Sequence, residues 1–166
     1  MKSGIGHRLL AQFAHAHQRK IMTTPIQKAP RWLIAVSWTG LAWNLFGAFQ
    51  FYRTVNASSE SLLAQGLSPD QIRVMMGLPF WMDIAFGWGV LGGLLGCCLL
   101  IARRCIAQRV LLSSLLAYLV LFVGDVTEGV FAAFGAPQVV ILSTVVLIAV
   151  GLYAAAQRAN ARQLLS

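Results

Sequence analysis

Few residues of this chain could do chemistry, and three of them are acids set among apolar neighbours: Asp83, Asp125 and Glu128. Asp125 and Glu128 are three apart, which places them on one face of a helix. A carboxylate inside a membrane helix is unfavourable by about 2.5 to 3.5 kcal/mol at the bilayer centre, so it marks a cation or proton site by default. Asn44 sits midway along another apolar stretch, where an unpaired amide is also unfavourable, and it is expected to hydrogen-bond across a helix interface. With Gln50 and Arg53, the three carboxylates would form one outward-facing layer, and with Asn44 they would line an outward-facing cavity able to hold a small solute or a cation. The competing reading is that the acids lie near an interface, solvated or paired with Arg53 or Arg73, and that Asn44 joins helices.

Other chemistries lack their residues. His7, His15 and His17 all precede the first apolar stretch, so none can ligate a haem or a metal between apolar helices or activate a nucleophile there. Cys97, Cys98 and Cys105 contain no C-x-x-C pair, which removes the usual signature of redox exchange and of structural zinc. The adjacent Cys97 and Cys98 read as small packing residues. No catalytic residue, metal site or cofactor is expected, and the chain reads as non-enzymatic.

The elements that must position these residues are apolar helices. The 166 residues are 58% hydrophobic and only 11% charged, with a mean hydropathy of +0.70, whereas soluble domains are about 25% charged. One helical crossing takes about 20 apolar residues, so the length accommodates four crossings and little else. They fall at about 32–52, 80–101, 110–131 and 137–156. The fold class is an all-α, membrane-embedded, antiparallel four-helix bundle. Between the first two crossings, Ser68-Pro69-Asp70-Gln71 carries a serine N-cap, a proline at the first helical position and a glutamine three residues after the cap, which predicts a short surface helix over Pro69 to Met76. Asn56-Ala57-Ser58 matches a glycosylation acceptor pattern that recurs by chance.

Charge sets the orientation. Eleven of the 13 lysines and arginines lie before the first crossing, in the loop holding Arg103, Arg104 and Arg109, or in the tail with Arg158 and Arg162; only Arg53 and Arg73 lie elsewhere. Cations beside spans stay on the cytoplasmic side, so both ends are expected there. The net charge of +8 therefore reads as membrane orientation, with the lipid bilayer as partner and no nucleic acid. Residues 1–31 form a basic segment, with Ile5, Leu9 and Phe13 at helical spacing suited to an anionic leaflet. Met22-Thr23-Thr24-Pro25 resembles an ordinary amino terminus, and the expectation is that residues 1–21 are not translated. Residues 157–166 read as a cytoplasmic tail.

The most specific pattern is a set of small residues. Ala85, Gly89, Gly93 and Cys97 recur every four positions in the second crossing, with Gly92 and Gly96 beside them; Ser37, Gly40, Asn44 and Gly47 form a stripe in the first. Small-x-x-x-small ladders let helix backbones approach closely, and these two faces are expected to meet. Close packing within the chain is one use; a seam with a second copy or with another membrane protein is the other.

The stretch Pro79-Phe80-Trp81-Met82-Asp83-Ile84-Ala85-Phe86-Gly87-Trp88-Gly89-Val90-Leu91-Gly92-Gly93-Leu94-Leu95-Gly96, followed by Arg103-Arg104, resembles a family of small four-helix bacterial inner-membrane proteins of unknown function. Members share a Pro-x-Trp helix start, an Ala-Phe pair and a Gly-Gly core, and they often carry the label of sugar transporter. The likeness extends over roughly residues 31–158 but brings no sugar-binding residue with it. Small multidrug-resistance transporters are of similar size, yet they rely on a glutamate in the first helix, and residues 32–52 contain no acid. Two functions stay open: a non-enzymatic packing or interaction component, and a small-solute or cation transporter acting as an oligomer.

Overall fold

A computed structural model describes residues 30–165. The basic segment before Pro30, with its histidines, its amphipathic spacing and the Met22 start, lies outside the described residues. Within them the structure is all-helical, without strands. The elements are α1 (Arg31–Val55), α2 (Ser59–Ala64), α3 (Pro69–Met76), α4 (Phe80–Ile101), α5 (Ala107–Thr127), α6 (Val130–Phe134) and α7 (Ala136–Ala161). Four of them, α1, α4, α5 and α7, are long and apolar enough to cross a membrane. This is the architecture of a multi-pass membrane protein.

Local chemistry sets the helix ends. Pro30 and Pro79 stand at the N-caps of α1 and α4 with extended backbone, and Pro137 opens α7, where a missing N–H leaves no bond unmade. Ser68 and Gln71 cap each other at the start of α3. A second capping box, Ser58 with Ser61, starts α2, a turn that the sequence reading does not anticipate. The third apolar stretch is expected to run to about residue 131, but α5 stops at Thr127. Gly129 takes φ 75°, a left-handed conformation that glycine adopts without a Cβ penalty, and the chain turns there into α6.

Two ends use the left-handed region without glycine. After α4, Arg103 has φ 58°, while its N–H bonds to Leu100 O and that of Arg104 to Leu99 O. After α7, Gln163 has φ 53° and the same pair of bonds joins Gln163 to Asn160 and Leu164 to Ala159. Both are Schellman caps, which satisfy the last carbonyls of a helix. They also meet: Arg103 Nε donates to Leu164 O at 3.0 Å, and Leu164 and Leu165 are buried in the core cluster formed by Leu33, Leu100, Leu111, Ala156 and Ala159. The expected tail at 157–166 is thus largely helix and packed chain.

Packing inverts the pattern of a water-soluble helix. On α4 the glycines at 89, 92, 93 and 96 are buried, whereas Ile84, Trp88, Leu91 and Leu95 are each more than half exposed. Large apolar side chains turned outward are stable only against a hydrocarbon-like surrounding. α4 lies between α1 and α5, and α7 packs on α5 and touches α1. At the far end from Arg103, α3 and α6 pack together, joined by Gln71 Nε2 donating to Ala133 O at 3.2 Å.

Candidate functional site

Placement of the polar residues starts with the glycines. A Cβ on Gly40 would meet Cys97 Sγ at 2.9 Å as well as Leu152 of α7, one on Gly47 would meet Val90, and one on Gly93 would collide with Asn44 Oδ1. Gly40, Asn44 and Gly47 of α1 therefore face α4. Gly87 of α4 likewise meets the Phe51 ring of α1, and the other three glycines of α4 turn to α5: Gly89 abuts the Tyr118 ring, Gly92 abuts Ser114 and Gly96 abuts Leu111. Ala85 is buried in the core cluster with Met82 and Leu115. Ser114 donates its hydroxyl to Gly89 O, a carbonyl accessible because no side chain shields it.

Asn44 departs from expectation. It is buried at 3% exposure, but its Nδ2 donates to Gly40 O in its own helix at 2.8 Å instead of crossing to α4. Gly93 opposite offers no side chain, and the backbone N–H groups of α4 are committed within the helix. Asn44 lines a small cavity of about 10 Å³ with Ser114, Tyr118 and apolar side chains of α7. That volume is on the scale of a single water.

A larger cavity of about 330 Å³ lies between α1, α4, α5 and α7, beneath α3 and α6. Asp83 and Asp125 both line it, with Gln50, Gln138, Thr54 and the rings of Trp43, Phe46, Phe86, Tyr118 and Phe134. Asp125 is only 4% exposed, and Gln138 Nε2 donates to its Oδ2 at 2.9 Å. Asp83 is half-buried. Glu128 stands apart: it caps the end of α5, is exposed and is absent from the cavity wall. The left-handed turn at Gly129 ends α5 just beyond it, so the three carboxylates expected in one layer separate. Two line the large cavity, Asn44 lines the small one, and Glu128 lies outside.

The arginines expected to neutralise the acids are engaged elsewhere. Arg53 Nη2 donates to Gln65 Oε1 at 2.7 Å and its guanidinium lies 6.0 Å from the Phe49 ring centroid. Arg73 pairs with Asp70 at 3.2 Å on the surface, the one salt bridge among the described residues. Asp83 and Asp125 thus face a largely apolar chamber with amide and hydroxyl neighbours and, among the described residues, no cation in its wall. Such a chamber favours a positively charged occupant, through charge pairing and through the faces of its aromatic rings. Among the described residues no group of three or more His, Cys, Asp or Glu is placed to hold a metal.

Two wall residues escape the sequence reading. Gln138 follows the Gly135-Ala136-Pro137 turn as a polar side chain in the first turn of an apolar helix, a visible signal whose partner depends on the register of α7 against α5. Tyr118 looks like one more apolar core residue, yet it lines both cavities, as do Trp43 and Val145. Comparison with protein-family models, curated proteins and solved structures gives no match for the chain.

Proposed function

We propose that this chain is a small-solute transporter of a bacterial inner membrane, acting as an oligomer, and that the larger cavity binds a small organic cation on Asp125 and Asp83. The observation that carries the reading is a carboxylate at 4% exposure in a cavity of about 330 Å³, with no salt-bridge partner among the described residues. A buried anion is unfavourable unless paired, and a cationic solute would complete the pair. The residues do no covalent chemistry in this scheme, and the protein is non-enzymatic.

The topology proposed with it is an antiparallel four-helix bundle with both ends cytoplasmic. Supporting the antiparallel arrangement, positions rising along α1 (Gly40, Asn44, Gly47) meet positions falling along α4 (Cys97, Gly93, Val90). Supporting the orientation, Arg103, Arg104, Arg109, Arg158 and Arg162 cluster by sequence at the end opposite α3 and α6, where translocation of cations is resisted. The large cavity then faces outward. A packing module presented through the glycine faces has less behind it, because Gly40, Gly89, Gly92, Gly93 and Gly96 are already filled by the chain's own side chains.

The test is uptake into proteoliposomes over a panel of amines and quaternary ammonium ions, alongside neutral sugars, since family members carry that label. Cation uptake that falls at least tenfold in Asp125→Asn and in Asp83→Asn is the expected result. Uptake of no cation, or uptake indifferent to both substitutions, overturns the proposal.

A further inference from the structure

The route into the cavity is written in the spacing of α1 and α7. At the Arg103 end the two helices are in contact: a Cβ on Gly40 would meet Leu152 Cδ2 at 2.5 Å, and Leu33 shares a core cluster with Ala156 and Ala159. Towards α3 and α6 they part, and the cavity occupies the gap between Trp43–Thr54 on one side and Gln138–Val145 on the other. Phe46 of α1 and Ile141 of α7 line the cavity while being 58% and 59% exposed. They sit at its rim, on the outward surface of two membrane-spanning helices. The end of the cavity is covered instead: Met75, Leu78, Val130 and Phe134 close it, and the Gln71 to Ala133 hydrogen bond ties the cover together.

A cavity roofed on its aqueous end and open on its lipid side selects for molecules that reach it through lipid. Its polar groups are two carboxylates, two amides and the hydroxyls of Thr54 and Tyr118, and most of the remaining wall is hydrocarbon and aromatic ring. Resting on the cation reading above, we infer that the occupant is an amphipathic cation, an amine or quaternary ammonium bearing a hydrocarbon chain, which enters sideways between α1 and α7. The head sets on Asp125 and Asp83, and the chain trails past Phe46 and Ile141 into the bilayer. Partitioning of the chain into lipid concentrates the ligand beside the rim, and the carboxylates discriminate its head by charge.

The experiment uses the full chain in phosphatidylcholine nanodiscs and radiolabelled decyltrimethylammonium, with protein-free nanodiscs as the blank. Saturable binding above the blank is expected, displaced at least tenfold less effectively by tetramethylammonium than by unlabelled ligand and not displaced by decyl sulfate. Asp125→Asn should weaken binding at least tenfold, with the thermal transition of the variant recorded to show that it folds. Ile141→Trp, at the rim, should slow association several-fold, whereas Leu95→Trp, equally outward-facing on α4, should not. If tetramethylammonium binds in an Asp125-dependent way and the decyl compound binds no better, the lateral route is overturned and the cation site stands. Absence of saturable binding by either overturns both. Decyltrimethylammonium binding that is indifferent to Asp125→Asn overturns the head-group assignment.

Discussion

Gln138 and Asp125 hold the first turn of α7 to the last turn of α5, the amide Nε2 of one donating to the carboxylate Oδ2 of the other across 2.9 Å. The bond joins two elements separated in sequence by the Gly129 turn, α6 and Gly135. It also gives the buried acid its one hydrogen bond to another side chain among those the structure resolves at the cavity.

Removal of that donor should leave a buried acceptor unsatisfied. Gln138→Leu is expected to destabilise the protein by about 1 to 3 kcal/mol, read as a lowered thermal midpoint in detergent. In an Asp125→Leu background, where there is no acceptor left to strand, the same change should have a much smaller effect. Equal losses in both backgrounds would show that the bond carries no stability.

The contact between Gly93 and Asn44 predicts a suppressible clash. With its Cβ colliding with Asn44 Oδ1, Gly93→Ala must displace a buried amide, and overpacking of this kind costs about 1 to 3 kcal/mol. Asn44→Ala in the same chain should recover most of the loss, since the obstructing atom is a side-chain end. A double variant as unstable as Gly93→Ala alone would place the strain in the backbone.

Two glycines with open surroundings should respond in opposite directions. Neither Gly129 nor Gly151 has an atom within 4 Å of a built Cβ, but Gly129 has φ 75° and Gly151 is helical. Gly151→Ala is expected to stabilise by about 0.5 to 1 kcal/mol through helix propensity. Gly129→Ala should destabilise by about 1 kcal/mol from the left-handed backbone alone. Thermal unfolding of the pair in one detergent checks both signs.

Arg103 both takes a left-handed conformation and clasps Leu164 O, and substitutions separate the two effects. Arg103→Gly should relieve the backbone and release the tail; Arg103→Asn, which tolerates the left-handed region, should release the tail without the entropy loss of glycine. Both are expected to expose the last residues to carboxypeptidase faster than in the parent chain. Unchanged digestion would show that burial of Leu164 and Leu165 suffices.

Much of the architecture is legible in the sequence because hydrocarbon length and capping are local properties. Trp32 to Tyr52 contains no charge, and that alone identifies a membrane-length helix; Ser68 and Gln71 announce α3 through atoms three residues apart. What depends on register is not legible. Gly129 reads as one glycine among many until its φ is known, and without the turn there Glu128 falls on the same helical face as Asp125. Asn44 is recognisable as a buried amide, but whether it bonds across or along its helix depends on what faces it, and a glycine leaves it only its own backbone. Gln138 becomes part of the site solely through the pairing of α7 with α5. Arg53 looks like the natural counter-ion for the acids, yet Gln65, at the end of a helix that the sequence pattern hides, takes its guanidinium first.

The glycine contacts are shared unevenly among the four long helices. Most of them interlock α1, α4 and α5, where side chains seat on bare backbone and so resist sliding of one helix past another. α7 has one such seat, Leu152 on Gly40 of α1; its other buried contacts are the side chains of Leu142, Ala149 and Ala156, and it carries Gln138 and Ile141. Were loading of the chamber to move a helix, α7, with the fewest such seats, would be the one to move. Spin labels on α7 and α4 would then change separation on loading, while labels on α1 and α4 would hold theirs.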